Sequence, residues 1–337
     1  MAAMKNLDLI LPFSIPPEGL EKDLLRAIKA PSLAKLIGSA KQTKLFSLEE
    51  FSRALPHEYI MAGKMDSING PVLSNSPQST WNSMKEFQLQ PQEGNWFTLQ
   101  PVHIHFASDH LVLMDTRRLQ LSEVESKQLF TIAKAMCDEV QMELLYGDVN
   151  TWFLRADAWS GLTTATVDAA CGHNIDIWMA QGEQARAWRK LQNEIQMAWF
   201  SHPINEAREN QGLNPVNSVW LSCGSSELLP TNQNYLKNTD ATKLIHQENQ
   251  VGTTLVLDAL ISPSINNDWA YWLENIHQLE QDYFTPLLSA VKQNRLQQLN
   301  LICTDATQAY QFTVTPWSLR QFWIKPSLTK LFSLHSK

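Results

Sequence analysis

Charge is scarce in this chain: only 18% of its 337 residues are Asp, Glu, Lys or Arg, against about a quarter in an average domain. Gln and Asn make up the shortfall without low-complexity runs, and 44% of residues are apolar. That composition builds a sizeable core and excludes disorder as the main state. No block of Lys or Arg occurs, and the net charge is −7. A run of cations to hold nucleic acid or an anionic membrane is therefore missing, and neither is an expected partner. The four cysteines, Cys137, Cys171, Cys223 and Cys303, stand far apart with no CxxC pair. Neither a zinc knuckle nor a disulfide framework follows, and a reducing cytoplasm is the expected location. No apolar stretch approaches the ~18 residues needed to span a bilayer. The apolar run from Leu7 to Ile15 is broken by Asp8 and Pro12 and lacks a small-residue cleavage site, so it is not read as a signal peptide.

What is present is an alternation of strand and helix patterns. Leu7 to Leu11 reads as a buried strand, followed past Pro16-Pro17 by helical patterns from Leu20 to Ala30 and from Pro31 to Ala40. Gly63 to Gly94 is rich in Gly, Pro, Ser, Asn and Gln and predicts a long loop and a domain boundary. Phe97 to Phe106 and Leu111 to Met114 predict a hairpin across Ala107-Ser108-Asp109. Ser122 with Glu125 has capping-box form before an amphipathic helix carrying Leu129, Ile132, Ala133, Met136 and Val140. A strand at Thr151 to Arg155 and a helix from Glu183 to Phe200, with Trp188, Leu191, Ile195 and Trp199 on one stripe, follow. Beyond them the pattern predicts strands at Val219 to Cys223 and Thr254 to Leu260 with a polar loop reaching Gln250 between. It then predicts a helix from Asp268 kinked at Pro286, strands at Leu299 to Thr304 and Tyr310 to Val314, and a last helix from Trp317. Such alternation is the mark of an α/β layer.

The most informative stretch runs from Ser201 to Trp220, where His202, Asn205, Arg208, Asn217 and Trp220 recur at fixed intervals around Pro203, Gly212 and Pro215. On a helix opened by Pro203, residues 202, 205 and 208 share one face. This predicts a ligand-binding anion pocket in which Arg208 forks a phosphate or carboxylate and His202, Asn205 and Asn217 orient it. The competing reading is a structural network, in which His202 or Ser201 caps the helix, Gly212 ends it and Asn217 secures the next turn. His103 and His105 share a strand face near Asp109 and His110, so a metal site is geometrically open to them, although an ordinary hairpin with a polar face gives the same pattern and no metal is assigned. Trp269, Trp272, Trp317 and Trp323 could serve a protein-docking face, but their helical spacing places them with the aliphatic stripe and they are expected inside. Ser14 has no His or Lys nearby in sequence to activate it and reads as a loop opener.

The spacing of residues 202–220 resembles the "HPxNxxRxxxGxxPxNxxWxxG" stretch of archaeal-type cofactor-independent phosphoglycerate mutases, members of the alkaline phosphatase superfamily. Other pieces follow in the same order. Leu7 to Leu11 with Ala30-Pro31-Ser32-Leu33-Ala34-Lys35-Leu36 resembles the family's first strand and its "TPLxxAxxPNLDxLA" helix entry. Phe97 to Asp115, Ser122 to Leu129 and Tyr146 to Arg155 resemble the domain inserted in its phosphatase core, and Ile276 to Leu288 resembles its "IEKID…GPLL" helix. A proteobacterial branch labelled phosphoglycerate-mutase-like or regulatory matches this pattern best. The resemblance implies an α/β fold with a discontinuous phosphatase-like core, residues 1–96 and 218–337, and an inserted α/β domain, residues 97–217.

The departures bear on activity. Cys223 stands where the motif's last glycine belongs, with Gly224 one place late. The superfamily's Asp-Gly after the first strand is replaced by Pro12-Phe13-Ser14, and Asp305 is followed by Ala306 rather than His. Two divalent ions that would clamp a phosphoryl group are thus left without their ligands. The expectation is a degenerate, non-catalytic member with no cofactor, binding a phosphorylated or carboxylated metabolite or a protein partner. The alternative is an active phosphoglycerate mutase or phosphomonoesterase that gathers metals on Asp258, Asp268, Asp305 and His277.

Overall fold

The computed structural model describes residues 4–62, 65–66, 70–71, 80–90, 92–226, 234–240 and 253–334. The chain forms two compact units, one made of Met1–Glu50 with Thr231–Lys337, the other of Phe51–Pro230. The first segment holds β1 (Met4–Leu11), α1 (Glu21–Ala27), α2 (Pro31–Ser39) and β2 (Lys41–Ser47). The second unit opens with α3 (Pro56–Met61), β3 (Met65–Asp66), β4 (Gly70–Pro71) and α4 (Thr80–Glu86), then β5 (Trp96–Val102), β6 (Ile104–Ala107) and β7 (His110–Leu113). It continues with α5 (Glu123–Glu139), β8 (Leu144–Asp148), β9 (Thr151–Arg155), α6 (Val167–Ala170), α7 (Ala185–Phe200), α8 (Pro203–Asn210) and β10 (Ser218–Ser225). The chain returns to the first unit through β11 (Asn234–Lys237), β12 (Thr253–Val256), α9 (Ile261–Ile265), α10 (Trp269–Leu279) and α11 (Thr285–Lys292). It ends with β13 (Leu296–Thr304), β14 (Gln308–Val314), α12 (Pro316–Leu319) and α13 (Thr329–Phe332).

In the first unit a six-stranded mixed sheet runs in the order β11-β12-β1-β13-β14-β2. The first four strands are parallel, and β14 and β2 join antiparallel. Alternation along β1 sends Leu7, Leu9 and Leu11, each no more than 1% exposed, into the main core. Leu33, Leu36 and Ile37 of α2, Trp272, Ile276 and Leu279 of α10, and Leu287, Leu288 and Val291 of α11 pack there too. The kink expected at Pro286 takes a specific form: one π-helical turn, Glu280–Phe284, joins α10 to α11, and Pro286 lies in the first turn of α11. Proline's missing N–H is tolerated at that position. The π turn also buries Glu280, whose carboxylate accepts Ser32 N at 2.6 Å and Leu33 N at 3.0 Å. It thereby caps the first turn of α2, which has no side-chain cap of its own.

The second unit is built on an antiparallel sheet, β10-β5-β9-β8. Its core takes Leu129, Ala133 and Cys137 from α5 and Trp188, Leu191, Ile195 and Trp199 from α7; the α7 stripe is the one expected, whereas on α5 Ile132 and Met136 are only partly buried and Val140, past the helix end at Glu139, is exposed. Trp152 of β9 stands edge-on to Trp199 at 6.0 Å and to Phe130 at 5.3 Å, geometries in which the ring quadrupoles attract. The single strand expected over Phe97 to Phe106 is interrupted at His103: β5 belongs to the sheet, whereas β6 pairs with β7 alone. Ser108, at φ 50°, makes their turn.

Other expectations shift. The limits expected at 96/97 and 217/218 both fall within the second unit, because α4 lies on β5 and β10 and β10 pairs with β5. Part of the loop expected over Gly63 to Gly94 forms α4, whose Met84 is fully buried beside Trp96 and Phe153. Residues 63–64, 67–69, 72–79 and 91 of that loop, and residues 227–233 and 241–250 of the later polar loop, lie outside the described residues. The last helix shrinks to the single turn α12, followed by irregular chain up to α13. Trp317 and Trp323 are accordingly 70% and 66% exposed rather than buried, whereas Trp272 is fully buried. An argument from helical spacing fails where no helix continues. Among the described residues no helix is long and apolar enough to cross a membrane.

Candidate functional site

The motif of residues 202–220 lies wholly in the second unit. His202 is the N-cap of α8, its Nδ1 accepting Ile204 N at 3.3 Å, and Pro203 occupies the first turn. Asn205 is buried and uses both ends of its amide. Nδ2 donates to Trp199 O and to Val216 O, each at 2.9 Å, while Oδ1 accepts Val216 N at 2.8 Å. The end of α7 is thereby tied to the segment that leads into β10. Arg208 has no exposed surface. Its Nε donates to Asn214 O at 2.8 Å, Nη1 to Glu125 Oε1 at 3.0 Å, and Nη2 to Leu119 O. Asn217 reads the backbone of β6 as another strand would, accepting Ile104 N and donating to Ile104 O, both at 2.8 Å.

The glycine and tryptophan of the motif have equally local duties. Gly212, at φ +74°, follows α8 in a Schellman arrangement: Leu213 N donates to Arg208 O and Gly212 N to Glu209 O, each at 2.9 Å. Trp220 is buried and donates from Nε1 to Ala165 O at 2.8 Å. Cys223 has φ +59° at the point where the β10–β5 register shifts, between Ser222 and Ser225. A bulge of this kind favours glycine in the left-handed region, and this is the position where the sequence pattern placed one. Gly224 beside it faces Phe97: an added Cβ would stand 2.4 Å from Cε1 of that buried ring. Gly224→Ala should therefore lower stability by about 1–3 kcal/mol through overpacking. A fall in the thermal midpoint checks this, and an unchanged midpoint contradicts it.

Glu125 links this motif to α5. Its Oε2 accepts Ser122 N at 2.8 Å and Ser122 Oγ at 2.6 Å in the expected capping box, leaving Oε1 for Arg208. Burial works to raise the Glu125 carboxyl, but the hydrogen bonds from Ser122 and Arg208 outweigh it and hold the group below its ordinary value. The hairpin histidines do not converge. His103 Nδ1 donates to Pro215 O at 2.8 Å, its ring nearly parallel to that of His105 at 6.0 Å, while His110 Nδ1 meets Asp109 Oδ1 at 2.7 Å. Burial lowers the His103 imidazole below its usual range.

In the first unit, the groups at the carboxyl ends of the parallel strands are committed to turns and caps. Ser14, buried past the end of β1, donates from Oγ to Leu11 O at 2.7 Å. Asp258, after β12, accepts Asn238 Nδ2 at 2.9 Å. Asp305, after β13, accepts Thr307 N at 2.7 Å and Gln308 N at 2.6 Å. Asp268 caps α10 by accepting Tyr271 N at 3.1 Å, and His277 Nε2 accepts Lys29 N at 3.0 Å. Among the described residues no group of three or more His, Cys, Asp or Glu is arranged to hold a metal ion.

A polar cluster that the sequence did not signal lies elsewhere in the second unit. Glu58 of α3 is buried, its Oε2 accepting Leu55 N and Thr166 Oγ1, each at 2.8 Å. Arg117 forks Asp168, Nη1 to Oδ1 at 2.9 Å and Nη2 to Oδ2 at 2.6 Å, and its Nη1 also donates to Asp115 Oδ1 at 3.0 Å. Burial above all, and then the Asp168 charge, push the Glu58 carboxyl up to about 8. Its members lie in chain segments scattered from Glu58 to Asp168, so no local spacing announces them. The four cysteines are buried and form no disulfide with one another, and burial drives the Cys137 and Cys303 thiols up to about 12, well away from nucleophilic use.

No protein-family model and no curated protein matches the chain. Among solved structures, the PH0037 protein from Pyrococcus horikoshii is similar over 94% of this chain and 88% of its own, at 9% identity and a TM-score of 0.55. The cofactor-independent phosphoglycerate mutase from Thermoplasma acidophilum DSM 1728 aligns over 93% of this chain and 90% of its own at 11% identity, but its TM-score of 0.41 is too loose to carry an assignment. The chain is therefore a mixed α/β protein that shares its fold with the PH0037 protein.

Proposed function

We propose that this chain is a phosphoglycerate-mutase-like protein of the proteobacterial, regulatory-labelled kind, lacking catalysis and acting in the cytoplasm on a metabolite or a protein partner. The observation that carries the reading is the commitment of Ser14 and Asp305 to the turns that follow β1 and β13, and of Asp258, after β12, to the Asn238 side chain. The resemblance implies two divalent ions at such strand ends. The donor set does not fit them: a buried serine spent on Leu11 O and two acids engaged by Asn238 and by turn amides leave too little negative charge to neutralise two dications. In the same reading, His202, Asn205, Arg208 and Asn217 serve as a brace instead of a ligand pocket. Arg208 has no surface from which to reach a phosphate, and its donors meet Asn214, Glu125 and Leu119.

The test is thermal unfolding of metal-stripped protein with and without manganese or zinc, and with 2- or 3-phosphoglycerate, since a ligand that binds only the native state raises the midpoint by mass action. The expected result is no metal-dependent rise and no turnover. A rise with phosphoglycerate alone would identify a metabolite-binding protein within this reading. Metal-dependent turnover of 3-phosphoglycerate would overturn it in favour of an active enzyme using Asp258, Asp268, Asp305 or His277.

A further inference from the structure

The absence of a cation run along the sequence excludes only a contiguous basic surface. Two stretches contain no Asp or Glu at all: Leu24 to Leu48, with Arg26, Lys29, Lys35, Lys41 and Lys44, and Ala306 to Lys337, with Arg320, Lys325, Lys330 and Lys337. The first unit packs these two stretches together. β2 pairs with β14, and α2 lies against α12 and α13. Ser327 N donates to Ala34 O at 3.0 Å, Lys35 Nζ to Ile324 O at 3.3 Å, and Lys330 Nζ to Gly38 O and Ala40 O, each at 2.8 Å. Lys44 Nζ stands 5.7 Å over the Tyr310 ring. Lys41, Lys44, Arg320 and Lys325 are exposed. On the same segment as Arg320 and Lys325 stand Trp317, Phe322 and Trp323, 70%, 89% and 66% exposed, with the Phe322 and Trp323 rings edge-on at 5.1 Å.

Three large aromatics left in water on a segment that carries cations and no acid mark an interaction face. We propose that this face docks on an anionic lipid bilayer, with Trp317, Phe322 and Trp323 seated at the headgroup boundary and Lys44, Arg320 and Lys325 against the anionic headgroups. Charge complementarity selects the partner, because a chain of net charge −7 is repelled from an anionic membrane except through a local basic face. Aromatic rings with neighbouring cations are the composition that settles at the headgroup level. Phe322, nine-tenths exposed, protrudes from the loop between α12 and α13, which suits a yielding bilayer better than a rigid protein surface lacking a matching recess. The edge-on pair offers no parallel platform for stacked bases. The docking is independent of any turnover of phosphate esters.

Flotation of the full chain with vesicles of phosphatidylcholine, alone or mixed with phosphatidylglycerol, tests this. Binding is expected only where phosphatidylglycerol is present, with a blue shift of tryptophan emission and loss in high salt. The pair Phe322→Ser and Trp323→Ser should weaken binding about tenfold or more while leaving the thermal midpoint unchanged, since both side chains are exposed. Arg320→Gln with Lys325→Gln should weaken it as well. Failure of the native chain to bind phosphatidylglycerol vesicles, equal binding by the serine pair, or binding of single-stranded RNA in preference to the vesicles would each overturn the proposal.

Discussion

Arg208→Ala is expected to destabilise the second unit by about 3–5 kcal/mol, the loss typical of removing one partner of a buried ion pair. The guanidinium holds three separate places in register: Leu119 O ahead of α5, Glu125 Oε1 in its first turn, and Asn214 O on the way to β10. Truncation strands the buried Leu119 carbonyl, removes the donor to Asn214 O, frees a carboxylate held by Arg208, and opens a void where Arg208 has no exposed surface. Arg208→Lys should recover only part of the loss, because a single ammonium cannot reproduce a fork aimed at three acceptors. Urea unfolding measures both, with the midpoint falling and the slope unchanged. If Arg208→Ala instead left stability intact and abolished a phosphoglycerate-induced shift, the brace would be refuted and the anion pocket supported.

The second large effect is on pH. Glu58 has an ordinary carboxyl value in the unfolded chain and about 8 in the fold. The folded protein therefore holds more protons than the unfolded chain between those values, and its stability falls as pH rises through that window. The full contribution is present below the unfolded value and lost as pH passes about 8. Each tenfold change in proton affinity is worth about 1.4 kcal/mol, which puts the loss on the order of 5 kcal/mol. Glu58→Gln keeps an acceptor for Leu55 N and Thr166 Oγ1 but cannot ionise. Its thermal midpoint should stay nearly level from pH 5 to 9 while that of the native chain declines. Parallel curves for the two proteins would show that Glu58 is not the titrating group.

Much of the local structure was legible in advance for definite reasons. The stripe of Trp188, Leu191, Ile195 and Trp199, the Ser122–Glu125 capping box and the apolar strand at Leu7 to Leu11 are short-range patterns, and each formed as read. The helix ends of the 202–220 motif were readable as well: His202, Pro203 and Gly212 are a cap, a first-turn proline and a left-handed terminator. The same rules misjudged Trp317 and Trp323, because helical spacing buries a side chain only where the helix persists, and α12 is one turn long. They also misjudged β10, which belongs with β5 because strand pairing is settled between distant segments.

The sequence by itself determined which residues of the motif are polar, where its helix begins and ends, and that Pro12 follows Leu11 and Ala306 follows Asp305, since composition and close spacing decide those matters. Only the tertiary structure decided what the polar groups touch. Arg208 meets Glu125, Glu58 is buried beside Thr166, and two acid-free stretches far apart in the chain pack together. Burial and charge clustering are properties of packed segments in space, and chain order does not encode them directly.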